Sequence, residues 1–367
     1  MAGETSPPPP ARDSKSPSSS PKPKSPAAEK SPSPANAGSP QPTTIAGILP
    51  AQHWVDAAEG QGFDDADDAS AVVSSTASLS ASILEYRKIH GRTYHHDNDT
   101  AKYWGSNDSQ QNESMDINHH VETLLSDGKL FLAPLDTDKV HKVLDIGTGT
   151  GSWAIDFADD HPNAEVVGTD MSPIQPTWIP PNLKFEIEDC TLEWTFAKNS
   201  VDYIHMRLLI GSIADWDFVF KQAYETLAPG GWFESQENNA VWESDDDTLS
   251  ENSALGQWGK LFANFGNTIG RSFSICDDGL QRKAMEAAGF VDIHEVEYKD
   301  TKLKEIGEYT QVALEADIEG YILYPATSLG WSREEVAIFA AHIRREIRSP
   351  DIHSYYRQKV VYGRKPS

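Results

Sequence analysis

Nine residues, Val143-Leu144-Asp145-Ile146-Gly147-Thr148-Gly149-Thr150-Gly151, carry the strongest chemical signal in the chain. They read as an apolar strand ending in an acid, then a glycine-rich turn, then a segment, Ser152 to Asp160, with helical spacing. Three glycines at alternate positions let the backbone adopt φ > 0 and come very close to a ligand. A helix that starts directly after such a turn points free N–H groups at the same ligand. The chemistry this predicts is the binding of a nucleotide-type cofactor over the carboxyl end of the first strand of an open α/β sheet. The dinucleotide fingerprint Gly-x-Gly-x-x-Gly would place its third glycine at position 152, which is Ser152. Here Gly151 comes one residue early and Asp145 stands two before the first glycine.

Holding such a turn requires a sheet, and from residue 142 onward strand and helix patterns alternate, the mark of a mostly parallel sheet wrapped by helices. The expected strands are Lys142–Ile146, Glu165–Thr169, Leu183–Glu188, Val201–His205, Trp232–Gln236, Val291–Val296 and a last one within 357–364. Between them the spacing predicts a helix carrying Trp153, Phe157 and Ala158 inward and stopping at Pro162. It predicts another from near Asp215, with Phe218, Val219, Ala223 and Leu227 on one face, ended by Pro229-Gly230-Gly231, and a third over Leu280–Ala288 closed by Gly289. A helical insertion over 301–356 precedes the last strand, and Trp331 within it is a candidate wall for an acceptor pocket. Residues 78–140 read as a helical lead-in to a core spanning 141–300. Leu79, Ile83, Leu84 and Tyr86 fit one helix face over Ser78–His90, and Val121, Leu124 and Leu125 mark a further helix broken at Gly128.

The first 44 residues contain no Leu, Ile, Val, Phe, Tyr or Trp, and 12 of the 23 prolines lie within the first 42. Residues 1–77 are therefore expected to be a disordered Pro/Ser-rich tail and acidic linker. Seven Ser-Pro pairs punctuate the tail, three of them as Lys-Ser-Pro at Ser16, Ser25 and Ser31, which makes it a candidate for proline-directed phosphorylation. The chain carries a net charge of −25, and the tail contributes none of that excess, so the body is acidic and no nucleic-acid partner is expected. Cys190 and Cys276 form no Cys-x-x-Cys pattern, and the adjacent pairs His95-His96 and His119-His120 have diverging side chains, so neither a disulfide framework nor a metal site is expected. No apolar stretch approaches the roughly 18 residues of a membrane span, and the N-terminus lacks the apolar core of a signal peptide. The expected location is cytoplasmic, nuclear or both.

The form Asp145-x-Gly147-x-Gly149-x-Gly151 resembles motif I of the class I methyltransferases, which bind S-adenosylmethionine on a Rossmann-like α/β fold. The acids downstream agree with that reading. Asp170 closes strand two, where a carboxylate can accept hydrogen bonds from both ribose hydroxyls. Asp189 closes strand three, where it can accept from the adenine amino group with the Cys190 N–H beside the ring, and Met171 is suited to packing on the adenine face. Further motifs narrow the resemblance: Glu188-Asp189-Cys190, Gly211 to Trp216, Gln222 to Trp232, Gln236-Glu237, Asp170 to Pro176, Gly91 to His95 and Val360 to Pro366 are similar to the fungal LaeA-like methyltransferases of secondary metabolism. The resemblance covers roughly residues 82 to 366. It implies that Asp145, Gly147, Gly149 and Gly151, with Thr148 in the same turn, hold the methionine part of the cofactor, and that the region around Tyr94 closes over it. His205, at the end of strand four, is the candidate base or acceptor-orienting group, with Glu237 after strand five as the second choice. The function implied is methyl transfer to a small-molecule or protein acceptor; the alternative is a regulatory scaffold of the same fold acting through velvet-type protein partners.

Overall fold

Residues 47–59, 86–95, 103–299 and 304–367 are described in the computed structural model, and the Ser-Pro sites lie outside them. Helix α1 (Ala51–Glu59) already departs from the expected tail and linker of 1–77. Its Trp54 is buried, with ring centroids 4.9 Å from Phe339 and 5.6 Å from His342. So short a helix is ordered by packing on the body rather than by its own propensity.

Where a helix over Ser78–His90 was expected, the described part, from Tyr86 on, leads into a hairpin of β1 (Arg87–Ile89) and β2 (Arg92–Tyr94). Its two-residue loop, His90 at φ 48° and Gly91 at φ 88°, has the paired positive φ values that type I′ hairpin turns require. Helix α2 (Ser109–Leu125) begins well before the expected Val121, with Asp108 as N-cap accepting from the Gln111 N–H at 3.2 Å. Its buried side includes Gln111, Ser114 and Glu122, so no apolar stripe announces it.

The sheet then forms in the expected alternation: β3 (Lys142–Ile146), α3 (Ser152–Asp160), β4 (Glu165–Asp170), β5 (Leu183–Ile187), β6 (Val201–Arg207), α4 (Trp216–Thr226) and β7 (Leu227–Glu243). After these come α5 (Ala254–Ile269), α6 (Ile275–Asp278), α7 (Leu280–Ala288), β8 (Val291–Lys299), α8 (Lys304–Ala316), α9 (Ile318–Ser328), α10 (Arg333–Ile347) and β9 (Tyr355–Arg364). Seven strands pair in the order β5-β4-β3-β6-β7-β9-β8. The β3–β4, β4–β5, β3–β6 and β6–β7 pairs are parallel, and β9 runs antiparallel to both β7 and β8.

Two corrections concern β7 and its surroundings. The strand extends far beyond Trp232–Gln236, and Pro229-Gly230-Gly231 interrupts its register, from Val201↔Leu227 to Tyr203↔Trp232, instead of standing before it. Leu227 thus belongs to the strand, and α4 buries Trp216, Val219, Phe220 and Ala223. Helix α5, within a segment without a sequence signal, buries Leu255, Trp258, Leu261, Phe262 and Phe265.

Strand alternation divides the core between the two faces of the sheet. Val143, Val166 and Tyr203 pack with Trp153 and Phe157 of α3. Leu144, Ile146, Val167, Ile204 and Met206 belong to the larger cluster with α4, α5, α9 and α10. This division decides which polar side chains of β6 can reach the site.

Candidate cofactor and acceptor site

One cavity, of about 260 Å³, opens over the carboxyl ends of the parallel strands, where α/β sheets place their ligands. Gly147 to Thr150 line it after β3, Asp170 to Ser172 after β4, Glu188, Cys190 and Thr191 after β5, and Arg207 to Ile210 after β6.

The turn has the conformation its glycines allow. Gly147, Gly149 and Gly151 have φ of 68°, 60° and 85°. A Cβ added to them would run into Leu209, Met115 and Phe185 respectively, so backbone shape and packing both demand glycine here. Gly147, Thr148 and Gly149 line the cavity, whereas Gly151 is the N-cap of α3 and serves the packing beneath it.

Asp170 is held in place by the turn itself: its two oxygens accept from the N–H groups of Gly149 and Ser172, each at 2.9 Å. A carboxylate has about four acceptor sites, so capacity remains for a vicinal diol. Burial pushes its pKa up to about 6 against the opposing pull of those backbone N–H groups. Met171 and Cys190 also line the cavity, and burial raises the Cys190 thiol to about 12, which makes it an inert wall and not a nucleophile.

Three expected residues lie elsewhere. Asp189 accepts from the Thr191 N–H at 2.9 Å and the Thr191 hydroxyl at 2.6 Å, and the neighbouring Glu188 and Cys190 face the cavity in its place. Asp145 accepts from Thr148 Oγ1 at 2.5 Å and lies 2.7 Å from His205 Nδ1 across the β3–β6 register. Asp145 therefore braces the turn from below and does not line the cavity. His205 is a core residue: 1% exposed, it stacks on Trp153 with centroids 3.8 Å apart and planes 6° from parallel. Burial lowers its pKa despite the Asp145 partner. The expectation of a catalytic base at His205 is thereby corrected. Alternation sends Tyr203 and His205 under α3, and the polar side chain that reaches the cavity from this strand is Arg207, two residues on.

Glu237 is fully buried and does not line the cavity; its Oε1 accepts from the Leu209 N–H at 3.0 Å, which shapes the loop after β6. Its Oε2 has no hydrogen-bond partner among the described residues, and burial raises its pKa to about 8. The folded state therefore holds a proton that the unfolded chain, with a glutamate near 4.3, releases. Stability is lost as pH rises from about 4.3 to 8. Glu237→Gln should flatten that decline and leave the protein more stable than wild type at pH 8, measured by urea denaturation at pH 5 and pH 8. Parallel pH profiles for the two proteins would contradict the assignment.

The cover of the cavity was not legible in sequence. Tyr94, expected to close over the cofactor, is wholly buried and packs on Tyr324 at 5.7 Å. The segment that lines the cavity is 103–107. It is pinned by a hydrogen bond from Trp104 Nε1 to the Ile210 carbonyl at 2.7 Å and by one from Arg92 to Ser106 Oγ at 2.9 Å. The same cavity is lined by an aromatic wall in which Trp104 lies 5.3 Å from Phe262 and 5.6 Å from Phe273. Trp331 is not part of it, being packed on Phe339 at 5.3 Å. Asn107 Oδ1 and Gln111 Oε1, both on lining residues, are buried acceptors without a partner among the described residues. They suit a ligand rich in N–H donors, such as one with an ammonium or amino group. No group of three or more His, Cys, Asp or Glu among the described residues is placed to hold a metal ion.

A sheet of this order, with one antiparallel strand near its edge, a glycine turn after the first parallel strand and an acid at the end of the second, defines the class I methyltransferase fold. Comparison with known proteins agrees. A methyltransferase-domain family model matches residues 117–295. The methyltransferase pytC of Aspergillus terreus is 37% identical over 303 residues, 80% of this chain and 92% of its own. The secondary metabolism regulator LAE1 of Cochliobolus heterostrophus is 34% identical over 71% of this chain and 88% of its own, and the probable methyltransferase tdiE of Emericella nidulans 32% over 70% and 82%. Among solved structures, phosphoethanolamine N-methyltransferase 2 of Haemonchus contortus aligns over 70% of this chain and 53% of its own at 19% identity, with a TM-score of 0.42. The chain belongs to the LaeA-like family of methyltransferases, whose methyl donor is S-adenosylmethionine.

Proposed function

We propose that this methyltransferase serves secondary metabolism by methylating a small molecule that lies against the aromatic wall of the cavity. The observation that carries this reading is the continuity of one cavity from the glycine turn to Trp104, Phe262 and Phe273. Bound over the turn, S-adenosylmethionine would supply an electrophilic methyl group on a sulfonium, and holding a nucleophile in line with it supplies most of the acceleration. The chain's own part is to orient and enclose. Gly147 to Gly149 let the backbone approach, Asp170 accepts from the ribose hydroxyls, and Met171 and Cys190 flank the adenine. Asn107 and Gln111 accept from the amino-acid end, and Trp104 and its neighbours exclude water.

Asp170→Ala should remove charge-assisted hydrogen bonds of roughly 1.5–3 kcal/mol, hence lower cofactor affinity about 10- to 100-fold. Calorimetric titration reads this directly, and an unchanged affinity would refute the ribose assignment.

A second reading, a regulatory scaffold working through velvet-type partners, is favoured by the relatives named as secondary metabolism regulators. Metabolite profiles of a deletion strain and a Gly149→Arg knock-in separate the two. Catalysis predicts that the knock-in matches the deletion; a stably produced Gly149→Arg protein with the wild-type profile would establish the scaffold instead. Both cysteines are free and no described helix is long and apolar enough to cross a membrane, features that support the cytoplasmic or nuclear location included in this proposal.

A further inference from the structure

Arg207 is the cation of the cavity wall that the cofactor assignments leave without a role. Among the described residues its guanidinium makes one hydrogen bond, to His119 Nδ1 at 2.9 Å, and no carboxylate oxygen pairs with it. A guanidinium offers five N–H donors, and Arg207 lines the cavity with most of them uncommitted among the described residues.

The groups around it explain why those donors stay available. His119 receives the Arg207 N–H on Nδ1 and sits 2.9 Å from Asp156 through Nε2, so both ring nitrogens are engaged and the ring acts as a brace. Burial lowers the Arg207 pKa, and Glu122, Asp145 and Asp156, which face it from α2, β3 and α3, oppose that shift. Each is committed to other donors: Asp145 to Thr148 and His205, Asp156 to His119, and Glu122 to the amides of Gln236 and Gln358. The guanidinium is thus braced by His119 with no direct carboxylate pair among the described residues.

The polar network continues away from the donor. Gln358 Nε2 donates to the Tyr356 hydroxyl at 3.2 Å, and the Tyr356 ring packs edge-on against Trp242 at 5.2 Å. Tyr356 and Trp242 line the cavity from β9 and β7, beyond the strands that carry the turn, Asp170 and Cys190.

The geometry points to Arg207 as the anchor for an acidic oxygen of the methyl acceptor, which is an apolar, flat-bodied carboxylic acid or comparably acidic enol seated between Arg207 and the aromatic rings. This rests on the methyltransferase reading of the same cavity. A carboxylate could also come from the amino-acid end of the donor, and the test separates the two sources.

The experiment titrates S-adenosylhomocysteine into wild type, Arg207→Gln and Arg207→Lys. It then titrates a set of mono- and bicyclic aromatic carboxylates, each with its matched carboxamide, into the S-adenosylhomocysteine-loaded proteins. The expected result is a carboxylate preference of about tenfold or more in wild type, the range of a charge-assisted hydrogen bond. It should vanish in Arg207→Gln and return in part in Arg207→Lys, with S-adenosylhomocysteine affinity within a few-fold of wild type throughout. Retained S-adenosylhomocysteine binding certifies that each variant is folded, and Arg207→Lys keeps the test valid if the glutamine variant does not fold. Absence of carboxylate preference in wild type would overturn the proposal. So would a preference that survives in Arg207→Gln. A large loss of S-adenosylhomocysteine affinity in both variants at an unchanged melting temperature would assign Arg207 to the donor and overturn the proposal. Failure of wild type to bind S-adenosylhomocysteine at all would overturn the methyltransferase reading beneath it.

Discussion

Gly149→Arg should abolish cofactor binding, a loss of more than about 100-fold in affinity, or over about 2.7 kcal/mol, with a far smaller loss of fold stability. Gly149 stands at φ 60°, where an L-residue pays roughly 1–2 kcal/mol, and its Cβ would collide with the end of Met115. Met115 is a flexible side chain on α2, so the fold can yield there. The cavity cannot, because the new side chain would occupy the space where a cofactor must approach the backbone. The peptide is also fixed on both sides, its N–H donating to Asp170 and its carbonyl accepting from Gln175 Nε2 at 2.6 Å. Titration of S-adenosylhomocysteine into a variant of near-normal melting temperature should give no detectable heat. Binding within tenfold of wild type would show that the turn is not the cofactor seat.

Arg92→Met should cost about 3–5 kcal/mol of stability, the usual result of removing one partner from a buried ion pair. Arg92 lies 2.5 Å from Asp108 and 2.6 Å from Asp317, whose side chain is fully buried, and it also reaches Ser106. Asp108 is the N-cap of α2 and Asp317 the N-cap of α9. One guanidinium therefore ties the hairpin, the cavity cover, α2 and the insertion together. Its loss strands Asp317 where burial already pushes its pKa upward even with Arg92 present. The urea midpoint reads the effect. Because the cover is loosened as well, cofactor affinity should fall with stability, unlike in Gly149→Arg, where affinity falls nearly alone. A change below about 1 kcal/mol would mean the network behaves as an ordinary surface pair.

The parts of the molecule that could be read from sequence are those governed by local pattern. Lys142–Ile146, the helix after the turn and Leu280–Ala288 match the structure at their boundaries because a continuous apolar run, a glycine turn and a closing glycine each act within a few residues. The hairpin at 87–94 departs from the helix expected over Ser78–His90 because the apolar spacing does not carry across His90-Gly91, whose type I′ turn is a short-range signal in its own right. Helix α2 begins well before its apolar pattern does because its buried side holds an amide, a hydroxyl and a carboxylate beside Val121. Inside the site, Gly147, Thr148, Gly149, Asp170, Met171 and Cys190 line the cavity. Asp145 and His205 do not, and the reason is non-local: they are register partners on adjacent strands and satisfy each other on the α3 face. Arg207, Trp104 and the α5 aromatics reach the cavity only through the tertiary fold. No spacing rule links them, although a two-residue step along β6 from His205 would have found Arg207.

The most direct measurement of the central claim is photolabelling by S-adenosyl-L-methionine carrying a radioactive methyl group, followed by peptide mapping, with unlabelled S-adenosylhomocysteine as competitor. The structure predicts competable label on peptides containing 103–107, 170–174 or 188–191, the segments that line the cavity around the turn. Competable label confined to peptides elsewhere, such as the outer groove where Glu113 and His120 of α2 meet Tyr309, would contradict the placement of the donor and with it the function proposed for this cavity.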